Sequence, residues 1–262
     1  MNRQIIVITG ASSGIGKALA LTYAGKNTEL ILGALNKDEL NNTARECEQK
    51  GSTTRTIEFD LCDADSTQAF TDTIMNNYTT VDRLVHVSGI SQRALAEDTS
   101  LEVDRRIMEI NYFGAITLTK ALLPLLKVGN GGKIGVTSSI SGKFGFPLRS
   151  AYAASKFALV GFFESLRLEH FRDNITVTLL FPGRINTPIS LSALNGQGKS
   201  QGLMDPGQAT GMPVKTCAAK MKKAIEKNKK DAYIGGKEIL MVYFKKYLPA
   251  LFYRIAKKTN PR

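Results

Sequence analysis

The amino-terminal stretch constrains the fold more than any other part of the chain. Gln4 to Thr9 reads QIIVIT, a short apolar and β-branched run of the kind a buried parallel strand needs. Gly10-Ala-Ser12-Ser13-Gly14-Ile15-Gly16 follows at once, and Lys17-Ala-Leu-Ala-Leu-Thr-Tyr then opens a helix. Strand, glycine turn and helix in this order form a phosphate cradle. Glycines let the backbone turn tightly and approach a pyrophosphate, while the helix N-terminus offers free N–H groups and a positive dipole end. Gly10, Ser12, Ser13, Gly14, Ile15 and Gly16 are therefore candidate cofactor-binding residues. A tight βα turn without a ligand is the plainer alternative, and the flanking strand and helix weigh against it.

Further strand signals fall at 29–34, 53–59, 83–87, 133–137 and 175–181, with a short last one near 232–234. Helical stretches lie between, near 14–26, 37–50, 65–78, 101–127, 151–172 and 213–229. Thr99-Ser-Leu-Glu102 has the pattern of a capping box at the start of the fourth helix. Such alternation predicts a doubly wound α/β, Rossmann-type fold: a parallel sheet of about seven strands, helices on both faces, and a ligand at the carboxyl ends of the strands. No internal repeat or Pro-rich linker divides the 262 residues, so a single Rossmann-type domain over 1–262 is expected. Residues 188–213 are rich in Gly, Ser, Asn and Gln, lack a period, and read as a lid.

A second constellation lies in the middle of the chain. Tyr152 and Lys156 stand four apart in a helical stretch, which puts them on one face. An ammonium beside a phenol favours the phenolate and makes a proton donor and acceptor usable near neutral pH. Ser138 and Ser139 follow the strand signal at 133–137.

Taken together, Thr9-Gly10-x-x-x-Gly14-x-Gly16, Asp60, Gly89, Asn111, Ser139, Tyr152, Lys156 and Pro182-Gly183 resemble, in order and spacing, the short-chain dehydrogenase/reductase family in its form of roughly 250 residues. The resemblance runs from residue 4 to about 190. It implies that Tyr152 gives or takes a proton while hydride moves to or from a nicotinamide. It implies that Ser139, thirteen residues before the Tyr, bonds the substrate oxygen, and that Lys156 also binds the ribose. The backbone carbonyl of Asn111 would hold a water that leads to Lys156. Asp60 and Leu61 would lie near the adenine, Ser88 and Gly89 against the cofactor, and Pro182, Gly183, Ile185 and Thr187 against the carboxamide.

Two departures from that pattern stand out. The family's Asn-Asn-Ala-Gly turn reads His86-Val87-Ser88-Gly89, which implies altered packing with a neutral, structural His86. The end of the second strand, Gly33-Ala34-Leu35-Asn36, carries no acid to select NAD, so NADP(H) is the expected cofactor, with NAD(H) as the alternative. Leu35, Asn36 and Lys37 are the candidate residues at that end, and Lys37 is the only nearby cation. Gly89-Ile-Ser-Gln-Arg93, Asp98-Thr-Ser, Asn111-Tyr-Phe-Gly and Thr119-Lys-Ala-Leu-Leu-Pro124 look most like the membrane-associated relatives, the 11β-hydroxysteroid dehydrogenases and the seventh dehydrogenase/reductase group. That implies a small lipophilic carbonyl or alcohol substrate, steroid-, retinoid- or lipid-like. Two rivals stay open: a β-ketoacyl thioester reductase, and a cofactor-bound sensor or scaffold without turnover.

Charge and cysteines bound the rest. The net charge is +12, and the 48 residues from 215 onward hold fourteen Lys or Arg against three acids. In 237–262 these cations alternate with Ile239-Leu-Met-Val-Tyr-Phe244 and Tyr247-Leu-Pro-Ala-Leu-Phe-Tyr253. This basic amphipathic extension suits peripheral contact with an anionic membrane; packing on the protein itself is the competing expectation. No nucleic-acid motif accompanies the charge. Three widely spaced cysteines suggest free thiols in a reducing, cytoplasmic setting, no metal-ligand spacing occurs, and the immediate start of the first strand suggests no signal peptide. Small residues along the helix after Ser150, namely Ala151, Ala153, Ala154, Ala158 and Gly161, suggest a homodimer or homotetramer.

Overall fold

The computed structural model describes residues 3–128 and 131–258. The remaining positions of the expected 1–262 unit, including 259–262 of the basic extension, lie outside the described residues. In chain order the elements are β1 (Gln4–Thr9), α1 (Gly14–Tyr23), β2 (Thr28–Ala34), α2 (Lys37–Glu48), β3 (Thr53–Glu58), α3 (Ala64–Asn77), β4 (Arg83–His86), α4 (Leu101–Met108), α5 (Gly114–Lys127) and β5 (Lys133–Thr137). There follow α6 (Ser150–Glu169), β6 (Thr176–Pro182), β7 (Ile185–Asn186), α7 (Pro206–Ala209), β8 (Met212–Pro213), α8 (Val214–Glu226), β9 (Asp231–Ile234), α9 (Leu240–Tyr247) and α10 (Pro249–Lys258).

Seven strands form one parallel sheet in the order β3-β2-β1-β4-β5-β6-β9. Parallel strands need crossovers, and the helices fill both faces. On one face α1, α2 and α8 bury Leu19, Leu40 and Met221 against Ile6, Ile8 and Leu32. On the other, α3, α5 and α6 bury Phe70, Leu122 and Phe163 against Val7, Ile31 and Ile134. Central strands covered on both sides need near-continuous apolar runs, which is what QIIVIT supplies. The strand order reverses between β1 and β4, and a crevice opens there at the carboxyl ends.

The expected helix over 101–127 is divided. Between α4 and α5 the turn Glu109–Phe113 is a π-helix. Such wide turns cluster at functional positions, and this one carries Asn111. The cap of α4 also differs from the capping box expected at Thr99. Ser100 accepts from the Val103 N–H at 3.4 Å. The Thr99 hydroxyl instead donates to the Leu95 carbonyl and accepts from Gln92.

The 188–213 segment is less irregular than its composition suggests. It folds into a 3-10 turn at Pro188–Ser190, α7, and a short parallel pairing of β7 with β8. In the extension, Pro249 starts α10 after a break at Leu248, where proline's missing N–H costs nothing. Phe252 and Val242 pack with Phe144, so one face belongs to the core. Leu240, Tyr243, Tyr247, Leu248, Leu251 and Tyr253 remain exposed on the other. Among the described residues no helix is long and apolar enough to cross a membrane.

Candidate active site

The crevice is about 470 Å3, and its walls come from the carboxyl ends of β1 to β6. Its floor is the glycine turn. Gly10 has φ +67°, in the left-handed region, and a Cβ there would stand 2.8 Å from the Ser88 nitrogen. A Cβ on Gly16 would run into the Gly10 carbonyl. These two glycines let β1, α1 and the end of β4 meet at backbone distance. The Thr9 hydroxyl accepts from the Val87 and Ser88 N–H groups at 3.2 and 3.3 Å and fastens the same junction. Ser13 precedes α1 without a side-chain cap, so the helix opens onto the crevice through its backbone.

Opposite the cradle stand the Ser, Tyr and Lys side chains of the second constellation. β5 delivers Ser138 and Ser139, and the first two turns of α6 deliver Tyr152 and Lys156. The Ser139 hydroxyl lines the crevice beside the Tyr152 phenol. It also accepts from the Ser141 N–H at 3.1 Å and donates to the Pro182 carbonyl at 3.4 Å. Ser138 plays a structural part, since its hydroxyl donates to the Lys156 carbonyl at 3.0 Å and ties α6 to β5. The Lys156 ammonium is buried, donates to the Thr137 carbonyl at 2.9 Å, and lies 5.7 Å from the centre of the Tyr152 ring. Gly89 makes room for it, because a Cβ there would stand 3.3 Å from the ammonium.

The electrostatics correct one expectation. The Tyr152 phenol is held above its ordinary value, since burial outweighs the lowering influence of Ser139 and of the Arg93 and Arg149 charges. Burial also pulls Lys156 down, to about 8. The ammonium is directed to Thr137, and its proximity alone does not offset desolvation of the phenolate.

The crevice gathers Gly10, Ser12, Ser13, Gly14, Ile15, Gly16, Leu35, Asn36, Asp60, Leu61, Ser88, Gly89, Ser139, Tyr152, Lys156, Pro182, Gly183, Ile185 and Thr187. Two expected residues lie outside that lining. Asn111 is buried behind it: its side chain accepts from the Ile90 N–H at 2.8 Å and donates to the Ile90 carbonyl at 3.0 Å and to Ser155 at 2.9 Å. Lys37 lies on the surface beside Glu58, at 3.9 Å. Its partner sits at the end of β3, where register sets Glu58 opposite Ala34, a pairing that local spacing does not reveal. His86 is buried, shares a 2.8 Å hydrogen bond with Thr119, and is pushed down to about 3 by burial, so it is neutral.

Sequence reasoning missed two further features. Glu238 accepts from the Arg184 N–H at 2.9 Å and closes over Gly183, linking the extension to the Pro182-Gly183 turn. The Thr137 hydroxyl and the Gln208 amide oxygen are buried without a protein partner, and both residues line the crevice. Buried polar atoms without partners are rare. Here they fit a polar ligand, and the glycine cradle and open helix end fit a dinucleotide.

The comparisons with known proteins agree with this geometry. A family model described as short chain dehydrogenase matches residues 4–197. A dehydrogenase/reductase SDR family protein 7-like from Anopheles gambiae is 39% identical, over 98% of this chain and 83% of its own. A short chain dehydrogenase/reductase from Burkholderia phymatum in complex with NAD superposes with a TM-score of 0.84 at 20% identity, covering 100% of this chain and 98% of its own. An alcohol dehydrogenase from Thermococcus sibiricus complexed with 5-hydroxy-NADP does so with 0.77 at 24% identity, covering 90% and 97%. The chain belongs to the short-chain dehydrogenase/reductase family of oxidoreductases.

Burying the Lys156 ammonium costs stability, and the sign can be worked out. Its folded value of about 8 lies below the ordinary 10.5. Between those values the unfolded chain binds more protons, so stability rises with pH across that window and the cost is full below it. Lys156→Met should therefore be more stable than wild type at pH 7, by up to about 3 kcal/mol at 1.36 kcal/mol per unit. The advantage should shrink toward pH 10.5. Urea unfolding of both proteins at the two ends of the window checks this, and a difference that does not change with pH would contradict it.

Proposed function

We propose that the protein is an NADP(H)-dependent reductase or dehydrogenase acting on the carbonyl or hydroxyl group of a small lipophilic molecule, steroid-, retinoid- or lipid-like. The observation that carries this reading is that Ser139, Tyr152 and, one turn on, Lys156 line one crevice together with the glycine cradle. A bound nicotinamide supplies hydride chemistry, and the protein supplies orientation and the proton. Tyr152 gives or takes the proton at the substrate oxygen. Ser139 holds that oxygen through its hydroxyl. Lys156 binds the ribose hydroxyls, and the Asn111 carbonyl anchors a water leading to Lys156. Ile90, Ile110, Pro188 and Ile189 give the substrate side an apolar wall, which supports a lipophilic substrate. Residues 188–213 serve as its lid, within one domain.

Tyr152→Phe keeps the ring and removes the proton donor. In a screen of lipophilic ketones with NADPH and NADH, the variant should lose about 10²–10⁴-fold in turnover while still binding cofactor. Retention of more than a tenth of wild-type activity would sink the assignment.

The preference for NADP(H) rests on the absence of a carboxylate at residues 33–36, which leaves room for a 2′-phosphate. The exposed Leu35 stands there. Lys37 is the cation within reach once released from Glu58. Lys37→Glu should weaken NADPH and spare NADH in fluorescence titrations; equal affinities of the wild type for both cofactors would refute the preference.

The protein works as a homodimer or homotetramer through α5 and α6. Ala154, Phe157 and Gly161 form an exposed stripe on α6, and an added Cβ at Gly161 would meet nothing. Sedimentation at micromolar concentration should show the assembly, and a monomer alone would contradict it.

The protein resides, on this proposal, in the cytoplasm at an anionic membrane. Leu240, Tyr243, Tyr247, Leu248 and Leu251 are exposed, and Lys245, Lys246, Arg254, Lys257 and Lys258 accompany them on α9 and α10. Each cation near such a surface contributes about 1 kcal/mol, and apolar burial adds to it. The chain should sediment with phosphatidylserine vesicles at low salt and less at moderate salt. Failure to bind would leave the extension as part of the fold.

A further inference from the structure

Beside the crevice the sheet ends on a carboxylate. β6 and β9 lie in register, Pro182 opposite Ile234, and the Gly183 N–H donates to the Ile234 carbonyl at 2.8 Å. Past that bond the two chains part, Gly183 toward β7 and Gly235 toward the extension. The next donors, the Arg184 and Gly236 N–H groups, turn to one atom. Glu238 Oε1 accepts from them at 2.9 and 3.0 Å.

The fit around that side chain is close. A Cβ on Gly183 or on Gly235 would run into Glu238 Oε1, and one on Gly236 would stand 3.0 Å from Oε2. Three glycines thus make room for one half-buried carboxylate. Among the described residues no cation pairs with it, so main-chain N–H groups are what it serves. Arg184 is gripped on its other side as well: its carbonyl accepts from the Met212 N–H at 2.9 Å, where β8 pairs with β7.

This grip bears on the crevice. Pro182, Gly183, Ile185 and Thr187 line it on both sides of Arg184, and the Pro182 carbonyl accepts from the Ser139 hydroxyl at 3.4 Å. Glu238 itself is not part of the lining. A dinucleotide laid along the carboxyl ends of the strands would run from Leu35 and Asp60, past the cradle after β1, to Ser139 and the 182–187 turn after β5 and β6. We propose that Glu238 is a positioning residue: through the Arg184 N–H it holds the 182–187 turn in the shape that receives the half of the cofactor nearest Ser139, so that the extension completes the site. This rests on the crevice binding a nicotinamide dinucleotide.

Two substitutions separate the hydrogen bonds from the charge. Glu238→Ala removes both acceptor oxygens. Glu238→Gln keeps a carbonyl oxygen for the same two N–H groups. Both remove the same negative charge, whose loss by itself favours an anionic ligand, so the difference between them reads the hydrogen bonds. The full chain is titrated with NADPH and NADH by fluorescence, and with 2′,5′-ADP and ADP, which lack the nicotinamide half, by calorimetry. Hydrogen exchange of the ligand-free proteins is followed by mass spectrometry. None of these readouts needs turnover.

Glu238→Ala should bind the dinucleotides about tenfold more weakly than Glu238→Gln, the scale of one or two hydrogen bonds, and the two variants should bind the fragments equally. Exchange across 183–187 should be about tenfold faster in Glu238→Ala than in Glu238→Gln, with 10–16 unchanged. Equal dinucleotide affinities of the two variants would overturn the proposal. So would a loss of fragment affinity as large as the loss for dinucleotides, which would make Glu238 a general support of the fold. Failure of the wild type to bind either dinucleotide would sink the functional reading and this proposal together, whereas binding by the wild type with no difference between the variants sinks this proposal alone. Should Glu238→Ala not fold, Glu238→Leu, which fills the space among the glycines without an acceptor, is held to the same outcomes.

Discussion

The ammonium of Lys156 is buried with a carbonyl for company, and much of the crevice is arranged around that fact. Among the described residues no carboxylate pairs with it. Its bond to the Thr137 carbonyl aligns α6 with the end of β5. Ser138 bonds the Lys156 carbonyl from the same strand end, so one short stretch of β5 holds both ends of the lysine. Gly89 leaves space beside the ammonium and the Asn111 amide, and Asn111 bonds the Ile90 backbone of the same loop. Burial disfavours the charged form of the side chain there. The charge is retained against the fold's own interest, which is the signature of a site kept for chemistry.

The glycine cradle complements this on the other side of the sheet's switch point. There the constraint is steric, not electrostatic. Gly10 and Gly16 let three backbones come together where side chains would keep them apart. What remains exposed to the crevice is main-chain N–H at the start of α1, a donor surface of fixed geometry. A permanent donor surface and a buried cation on facing walls suit a ligand that carries anionic oxygens at one end and a polar ring at the other. The partnerless Thr137 hydroxyl and Gln208 amide oxygen point to the same need for an occupant.

Much of this was legible in the sequence, and the reason is distance along the chain. The strand, turn and helix that make the cradle are contiguous, and Tyr152 and Lys156 share one helix turn, so periodicity reports them directly. β1 and β5 begin and end where the apolar runs do. What was not legible depends on pairings between remote segments. Arg93 and Asp205 are 112 residues apart, and Arg149 and Asp205 are 56 apart. Register alone sets Glu58 near Lys37. The π turn at Glu109–Phe113 answers to the Ile90 backbone, which no helical pattern within 101–127 can announce. The rise in the Tyr152 pKa was missed for a related reason: spacing shows the neighbouring lysine but not the depth of burial.

The extension shows how one segment serves two demands. Its aromatic residues divide between faces: Phe252 stacks edge-on to Phe144 at 5.2 Å, while Tyr247 is 65% exposed. Lys245 lies over the Phe252 and Tyr253 rings at 5.3 and 4.3 Å, so the cation is carried on the packed aromatic pair. At its other end Glu238 closes on the Pro182-Gly183 turn through the Arg184 N–H. Glu238 therefore fastens the start of the extension to the turn beside the crevice, while Val242 and Phe252 fasten its helices to Phe144, so the extension is built into the fold at both ends.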